Sequence, residues 1–351
     1  MEKISIEGGK PLFGKVEISG SKNSSLSILA SCLLTDKKIS ISGVPKLTDT
    51  FFFLELLSSF GVDIEGLNNF RNTKEFILSA AKITNNKAPY NLVKKMRASI
   101  LVLGPLLART GRAIVSLPGG CSIGLRPVDI HLKSMEKLGA KIFIEKGYIY
   151  AEALKGLKGN KIIFPKVSVG ATINVLTAAV LAKGTTEIYN AAKEPEIEDL
   201  GACLKSMGAK IEGLGTNKIL IEGVSKLNNT NYKVMFDRIE AGTYALAVAI
   251  AGGEIELIGA ETKLLKIFLN VLETIGVKYI VTKNSIIFKR TSNSLNPIDI
   301  TTESYPGFPT DLQAQLMAAM TISNGTSVIT ENIFENRFMH APELMRMGAK
   351  I

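Results

Sequence analysis

The stretch Val175-Leu-Thr-Ala-Ala-Val-Leu-Ala182 is apolar nearly all round. A surface helix keeps a polar face, whereas a helix that is hydrophobic on every side must be enclosed by other elements. Short β-type segments and amphipathic helices flank this stretch. We therefore expect an α/β fold in which the Ala- and Leu-rich helices lie inside and the other elements wrap around them.

This arrangement recurs along the chain at intervals of roughly 70 residues. Each repeat ends a helix with Gly-Ala-Lys-Ile or a close relative, at Gly61, Gly139, Gly208, Gly276 and Gly348. The inner helix of each repeat is expected to begin near Lys22, Asn91, Ser168, Asp237 and Thr310. A short strand, a second helix and a strand pair follow it, and the pair after Gly139 turns around Lys146-Gly147. The chain contains the beginnings of five such repeats, the last of them incomplete. Helices that alternate with strands in this way predict an α/β architecture of two globular halves.

The composition excludes several classes of protein. A chain of 351 residues, 46% of them hydrophobic, is long enough for two domains with sizeable cores. The net charge of +10 is spread along the chain and aromatic residues make up only 7%, which argues against a nucleic-acid partner. Three scattered cysteines and two histidines argue against a disulfide framework and a metal centre. No signal peptide or bilayer-spanning stretch is found, so we expect a cytoplasmic protein without a membrane partner.

A glycine loop holds the most reactive side chain. It reads Leu117-Pro-Gly-Gly-Cys121-Ser-Ile-Gly-Leu-Arg126-Pro-Val-Asp129. Glycine permits tight turns, and Pro127 suits the first turn of the helix that follows. A thiol near an arginine and a helix N-terminus has its pKa lowered from about 8.5 toward neutrality, which suits proton transfer or nucleophilic attack. The plainer alternative is a glycine turn around a small buried cysteine.

Polar residues also stand at the starts of three inner helices. Ser19-Gly-Ser-Lys22-Asn23 combines free backbone N–H groups with a lysine, as an anion site does. Ser168 can cap the third helix. At the fifth, Thr310 and Gln313 fit a capping box, and Asp311 is well placed against the helix dipole. An ordinary helix cap would explain each of them alone.

Their recurrence at one position of the repeat favours a shared cleft over coincidence. Four arginines in apolar company point to a small, highly anionic ligand in it. They are Arg97, Arg126, Arg238 and Arg337.

Four stretches together carry a family resemblance. They are Pro118-Gly-Gly-Cys121-Ser-Ile-Gly-Leu-Arg126-Pro-Val-Asp129, Ser21-Lys22-Asn23, Phe308-Pro-Thr-Asp311-Leu-Gln-Ala-Gln and Phe334-Glu-Asn-Arg337-Phe-Met-His. These motifs follow one another along the chain in the family's order, and from its N-terminus to Ile351 the chain resembles the UDP-N-acetylglucosamine 1-carboxyvinyltransferase family of enolpyruvyl transferases. The sister family that makes 5-enolpyruvylshikimate 3-phosphate shares the fold but lacks the Pro-Gly-Gly-Cys loop.

The resemblance implies two inside-out α/β barrel domains built from these repeats. Residues 22–235 would form the first, with the Cys121 loop as a lid, and residues 1–21 with 236–351 the second. Phosphoenolpyruvate and UDP-N-acetylglucosamine would bind between the domains. No metal or organic cofactor is implied.

The resemblance also assigns roles to residues. Cys121 would be the general acid that protonates the methylene carbon of phosphoenolpyruvate, and Asp311 would be the base for the 3-hydroxyl of the sugar. Cys121 would also form covalent adducts with phosphoenolpyruvate and with fosfomycin. Lys22, Arg97, Arg126 and Arg337 would hold phosphate and carboxylate groups, with Lys22 and Arg337 assisting catalysis. The UDP-sugar would contact Asn23, Arg126, Pro127, Val128, Asp129, Ile130, Lys166, Val167, Ser168, Val169, Gly170, Asp311, Ile333 and Phe334.

The chain stops in the first strand after Gly348. Family members have a sixth repeat with two further arginines and an acidic residue, so we expect that this sequence is truncated at its C-terminus. The leading hypothesis is enolpyruvyl transfer at the first committed step of peptidoglycan precursor synthesis. The alternatives are a truncated, inactive paralogue that acts as a binding or regulatory module, and a basic nucleic-acid-binding repeat protein.

Overall fold

The computed structural model describes residues 4–93, 96–117, 124 and 127–351. These residues form two compact units. The larger unit contains residues 20–93, 96–117 and 127–235, and the smaller one contains residues 4–19, 124 and 236–351. Cys121 and Arg126 lie outside the described residues.

Three separate sheets enclose the larger unit. Their strands are β2 (Lys38–Ser42), β3 (Asp63–Glu65), β4 (Glu75–Ser79), β5 (Arg112–Ser116), β6 (Lys141–Glu145), β7 (Tyr148–Glu152), β8 (Lys161–Ile163), β9 (Thr185–Tyr189), β10 (Lys210–Glu212), β11 (Lys218–Glu222) and β12 (Thr230–Lys233). The strand orders are β12-β2-β4-β3, β5-β7-β6 and β8-β9-β11-β10. The described strands therefore form no closed barrel.

The helices of the larger unit are α1 (Lys22–Ala30), α2 (Thr48–Ser59), α3 (Tyr90–Val93), α4 (Leu103–Thr110), α5 (Asp129–Lys137), α6 (Val169–Ala179) and α7 (Pro195–Ser206). Short 3₁₀ turns span Ser31–Leu34, Leu67–Asn69 and Arg97–Val102. Every residue of α6 from Ala171 to Ala179 is buried, and so is every residue of α1 from Ser24 to Ala30. The predicted inside-out α/β arrangement is confirmed, since apolar helices lie within the unit and sheets lie outside.

The smaller unit follows the same pattern. Its strands are β1 (Leu12–Glu17), β13 (Gly253–Ile258), β14 (Lys278–Val281), β15 (Ser285–Arg290), β16 (Ile300–Thr301) and β17 (Ile329–Thr330). Its helices are α8 (Arg238–Ala251), α9 (Lys266–Thr274), α10 (Gln313–Met320) and α11 (Ala341–Arg346), with 3₁₀ turns at Thr262–Leu264 and Thr310–Leu312. The sheets have the orders β1-β13-β15-β14 and β16-β17.

The repeat predicted from the glycine motif is visible in the strand pairing. In four successive repeats, a strand pairs with the last strand of the antiparallel pair that follows it, as in β2-β4-β3 and β13-β15-β14. The turn between β6 and β7 uses Lys146 and Gly147, with φ of 48° and 77°. Two successive positive φ values are those of the tight hairpin turn that matches strand twist.

Three local predictions are wrong. No single helix begins at Asn91, because Arg97–Val102 forms a 3₁₀ turn and α4 begins only at Leu103, next to Gly104 and Pro105. Pro127 precedes the first turn of α5, which begins at Asp129. Thr310 and Gln313 form no capping box, because no side chain accepts a cap hydrogen bond at the start of the Thr310–Leu312 turn or of α10, and the buried Gln313 amide makes no hydrogen bond to any described residue. The Thr310 hydroxyl donates to Glu331.

Candidate functional site

In the larger unit, the start of α1 presents two predicted substrate ligands. The hydroxyl of Ser21 accepts a hydrogen bond from Ser24 N at 3.3 Å and caps the helix. Lys22 and Asn23 follow in the first turn, where the backbone N–H groups and the helix dipole favour anions. Lys22 is half-buried, and its Nζ lies 3.6 Å from Asp49 Oδ2 on α2. A cation held in this way can receive an anionic ligand with little rearrangement.

Asp199 on α7 supports this helix start from inside the unit. Ser24 Oγ donates to one carboxylate oxygen, and Met235 N donates to the same oxygen at 3.2 Å. The hydroxyl of Tyr232 donates to the other oxygen at 2.6 Å. Burial raises the pKa of Asp199, and these hydrogen bonds partly oppose that shift. The sequence analysis missed Asp199, because its partners are distant along the chain.

His131 on α5 lies where several predicted sugar-site segments meet. Its ring atoms would lie 3.0 and 3.2 Å from a Cβ added at Gly170, in the first turn of α6. Burial, and next the positive charge of Arg97, lower the pKa of His131 to about 4, while Asp129 acts in the opposite direction. The imidazole is therefore neutral at pH 7.

A single buried amide connects the elements around His131. Asn174 Nδ2 lies 2.8 Å from His131 Nδ1 and also donates to Ile100 O at 3.1 Å. Asn174 Oδ1 accepts a hydrogen bond from Gly104 N at 2.8 Å. Asn174 thus joins α6 to α4, to α5 and to the 3₁₀ turn that begins with Arg97. A polar residue in the middle of an apolar helix could have revealed it in the sequence.

The predicted sugar-binding segments flank this network. Residues 127–130 lead into α5, with Ile130 buried and Asp129 exposed. Residues 166–170 lead into α6, where the Ser168 hydroxyl accepts from Ala171 N at 3.3 Å, as predicted for a cap. The structure thus brings Arg97 and both segments close to His131.

In the smaller unit, a carboxylate and a guanidinium meet at the start of α10. Asp311 lies in the 3₁₀ turn Thr310–Leu312, and its Oδ1 accepts a hydrogen bond from Arg337 Nη2 at 2.8 Å. The Arg337 side chain is 17% exposed and Asp311 is 40% exposed. Arg337 also lies over the ring of Phe334, with its Cζ 5.6 Å from the ring centroid. A partly exposed carboxylate can accept a proton, and the cation beside it can bind an anion.

Glu331 connects this pair to the loop of Ile333 and Phe334. Thr310 Oγ1 donates to Glu331 Oε2 at 2.8 Å. Ile333 N and Phe334 N both donate to Glu331 Oε1, at 2.8 and 3.1 Å. Glu331 had no predicted role, since its link to Thr310 spans 21 residues of chain and leaves no local pattern.

Arg238 begins α8 close to the same helix start. Its Cζ lies 5.7 Å from the ring centroid of Tyr305, and it shares a shallow pocket with Pro309 and Leu312, which flank Asp311 at a distance of one or two residues. Arg238 therefore lies near Asp311 in the smaller unit.

The described residues contain neither a metal-binding cluster nor a helix that could span a membrane. No group of three or more His, Cys, Asp or Glu side chains among them is arranged to hold a metal ion. In the same part of the chain, no helix is both long and apolar enough to cross a membrane.

Comparison with known proteins places this geometry in a family. The family model described as EPSP synthase (3-phosphoshikimate 1-carboxyvinyltransferase) matches residues 6–351. The UDP-N-acetylglucosamine 1-carboxyvinyltransferase of Caulobacter sp. (strain K31) is 53% identical over 354 residues, covering 100% of this chain and 81% of that protein. The protein of the same name from Dinoroseobacter shibae (strain DSM 16493 / NCIMB 14021 / DFL 12) is 51% identical, covering 100% and 82%.

Solved structures share the fold at lower identity. The enolpyruvyl transferase NikO from Streptomyces tendae is similar with a TM-score of 0.83 and 22% identity, over 97% of this chain and 80% of that one. EPSP synthase from Acinetobacter baumannii gives a TM-score of 0.65 at 22% identity, over 92% and 74%.

Fold and sequence together define an enolpyruvyl transferase. At about half identity over its whole length, the chain belongs to the UDP-N-acetylglucosamine 1-carboxyvinyltransferase family.

Proposed function

We propose that the protein transfers the enolpyruvyl group of phosphoenolpyruvate to the 3-hydroxyl of UDP-N-acetylglucosamine and releases phosphate. The relatives that share about half of its residues carry the name of this activity. The reaction would begin the synthesis of peptidoglycan precursors, and no metal or organic cofactor takes part in it.

The observation that carries the chemical assignment is the contact between Asp311 and Arg337. Asp311 removes the proton from the sugar hydroxyl, whose oxygen then bonds to C2 of phosphoenolpyruvate. Arg337 is 2.8 Å from the carboxylate and holds the anionic substrate beside the base. Asp311 suits the role of base because its carboxylate is partly exposed and is held in place by Arg337.

Cys121 completes the addition as the general acid. Its thiol proton goes to C3 of phosphoenolpyruvate, which becomes a methyl group in a tetrahedral adduct. The bond from C2 to the phosphate oxygen then breaks, and phosphate leaves with the electron pair and takes the proton that Asp311 had removed. C3 returns a proton to the Cys121 thiolate, which regenerates the double bond and the thiol. Atoms and charge balance with no oxidant or reductant. Cys121 and Arg126 enter only through the family resemblance.

The residues of the larger unit bind the substrates in this proposal. Lys22, Arg97 and Arg126 hold phosphate and carboxylate groups, because planar guanidinium forks and a fixed ammonium match them well. Asn23 and the segments 126–130 and 166–170 contact the UDP-sugar, together with Ile333 and Phe334 of the smaller unit. Arg238 adds positive charge beside Asp311.

Release of phosphate tests the proposal. The protein is incubated with phosphoenolpyruvate and UDP-N-acetylglucosamine, with either substrate omitted, and with shikimate 3-phosphate as a competing acceptor. We expect phosphate only when phosphoenolpyruvate and the UDP-sugar are both present. Preference for shikimate 3-phosphate would assign the protein to the sister reaction, and no release of phosphate would refute enolpyruvyl transfer.

A further inference from the structure

We propose that Glu331 is a positioning residue that holds the base Asp311 in register with the loop of Ile333 and Phe334. The inference rests on the proposed function for its catalytic meaning and on contacts within the smaller unit for its geometry.

The two carboxylate oxygens of Glu331 accept hydrogen bonds from different segments of the smaller unit. Oε2 accepts the hydroxyl of Thr310, the residue before Asp311, at 2.8 Å. Oε1 accepts the amides of Ile333 and Phe334 at 2.8 and 3.1 Å. One half-buried side chain therefore connects the 3₁₀ turn that carries the base to the following loop. Hydrogen bonds to an ionised acceptor are about twice as strong as neutral ones, so the connection is stiff.

The chain neighbours of Glu331 on both sides are also held by hydrogen bonds. The strand pair β16 and β17 places Thr301 opposite Thr330, and Asn332 N donates to Thr302 Oγ1 at 3.0 Å. Glu331 therefore lies between Thr330, which is paired within the strands, and Asn332, whose backbone N–H is hydrogen-bonded to Thr302. A carboxylate anchored in this way can impose a position on Thr310.

Arg337, which follows the loop of Ile333 and Phe334, also contacts Asp311. Arg337 N donates to Phe334 O at 3.3 Å, and the Arg337 side chain donates to Asp311 at 2.8 Å. Asp311 is thus held from two directions, through its neighbour Thr310 and through Arg337. Glu331 makes the first of these connections directly.

Kinetics of four variants test the catalytic part. Because a misplacement of ~1 Å can cost about 100-fold in rate, we expect kcat of E331A to fall by about that factor. The KM for UDP-N-acetylglucosamine should rise, since Ile333 contacts the sugar, while the KM for phosphoenolpyruvate stays unchanged. Loss of folded protein would move neither KM. E331Q should keep most of the activity, because its amide oxygen still accepts from both N–H groups and its NH₂ group can donate to Thr310.

The matched control is Glu343, whose side chain is 64% exposed and pairs with Arg346. E343A should behave as wild type. The double variant T310V/E331A should have the same kcat as E331A, because each substitution removes the same hydrogen bond between Thr310 and Glu331. Wild-type kcat in E331A, or additive losses in the double variant, would overturn the proposal.

Hydrogen exchange followed by mass spectrometry tests the geometry without any activity. The peptide that contains Ile333 and Phe334 should exchange faster in E331A than in wild type, and at the wild-type rate in E331Q. Equal exchange in E331A and wild type would refute the assignment on its own. Wild-type protein that releases no phosphate would instead refute the transfer reaction, so the two failures are distinguishable.

Discussion

Arg337 Nη2 donates a hydrogen bond to Asp311 Oδ1 at 2.8 Å, and the arginine is the more buried of the two partners. This contact joins a candidate base to a cation at the start of an inner helix. The first prediction concerns this pair. D311N removes the proton acceptor and leaves the shape nearly unchanged, so kcat should fall by about 100- to 10,000-fold.

R337K tests the other partner, because it keeps the charge and loses the planar fork. We expect a higher KM for phosphoenolpyruvate together with a lower kcat, measured by steady-state phosphate release. R346A is the control, since Arg346 forms an exposed pair with Glu343. Exposed pairs contribute about 0–1 kcal/mol, so activity should not change. Equal activity of D311N and wild type would exclude Asp311 as the base.

The second prediction concerns the pH dependence of stability. Burial lowers the pKa of His131 from 6.5 in the unfolded chain to about 4. The unfolded state therefore binds this proton first as the pH falls. The contribution of neutral His131 to the free energy of unfolding is fully present above about pH 6.5. It falls by about 3 kcal/mol as the pH falls toward 4.

Urea unfolding at pH 7.5 and pH 4.5 measures this loss. H131N keeps an acceptor for Asn174 and carries no titrating group, so its loss between the two pH values should be smaller than that of wild type. H340N is the control. Burial lowers the pKa of His340 as well, but this side chain is only half-buried. An identical pH dependence in wild type and H131N would contradict the buried neutral imidazole. The groups that act on His131 are Arg97 and Asp129, which stay unchanged in all three proteins.

The third prediction concerns the packing of α4 against α6. A Cβ added at Gly104 would lie 2.4 Å from the backbone oxygen of Asn174 and 2.8 Å from Thr177 Oγ1. Because the backbone of α6 cannot move aside easily, G104A should lower the free energy of unfolding by about 1–3 kcal/mol or more. Urea unfolding measures the change.

G8A is the matched control, since a Cβ at Gly8 meets nothing within 4 Å. If G104A unfolded at the same urea concentration as G8A, the two helices would be less closely packed than described.

The fourth prediction concerns the thiols. Fosfomycin should modify Cys121 and leave Cys32 and Cys203 intact, because both are buried. Burial raises the pKa of Cys203 to about 12 and raises that of Cys32 further, so neither forms the thiolate that opens an epoxide.

Peptide mapping by mass spectrometry locates the adduct. C121A should carry none, and wild type should carry one per chain. An adduct on Cys32, or an adduct that persists in C121A, would contradict the assignment of the reactive thiol.

Features set by short stretches of chain could be predicted, and those that depend on distant partners could not. The hairpin at Lys146-Gly147 and the cap at Ser168 need only neighbouring residues, and both are present. The apolar sequence around Val175 was sufficient to place α6 inside. Thr310 illustrates the limit, because its local pattern fits a capping box, whereas its hydroxyl donates to Glu331, which lies 21 residues away along the chain.

The second inner helix shows a related limit. The sequence from Asn91 has helical composition, but Pro105 has no N–H to donate and is accommodated only within the first turn of α4. The preceding residues turn as a 3₁₀ segment instead, and this places Arg97 at its start. Pro105 indicates that a break occurs, but the local pattern does not show that the residues before α4 form a 3₁₀ segment.

The central claim is enolpyruvyl transfer by addition and elimination, and the reaction in D₂O tests it most directly. If an acid protonates C3 of phosphoenolpyruvate before phosphate leaves, the methyl group of the adduct gains a deuteron and retains it in part when C3 loses a hydrogen. Mass spectrometry of the product should therefore show UDP-N-acetylglucosamine that carries an enolpyruvyl group with deuterium on its methylene carbon. Formation of the same product without deuterium, or no product at all, would contradict the account.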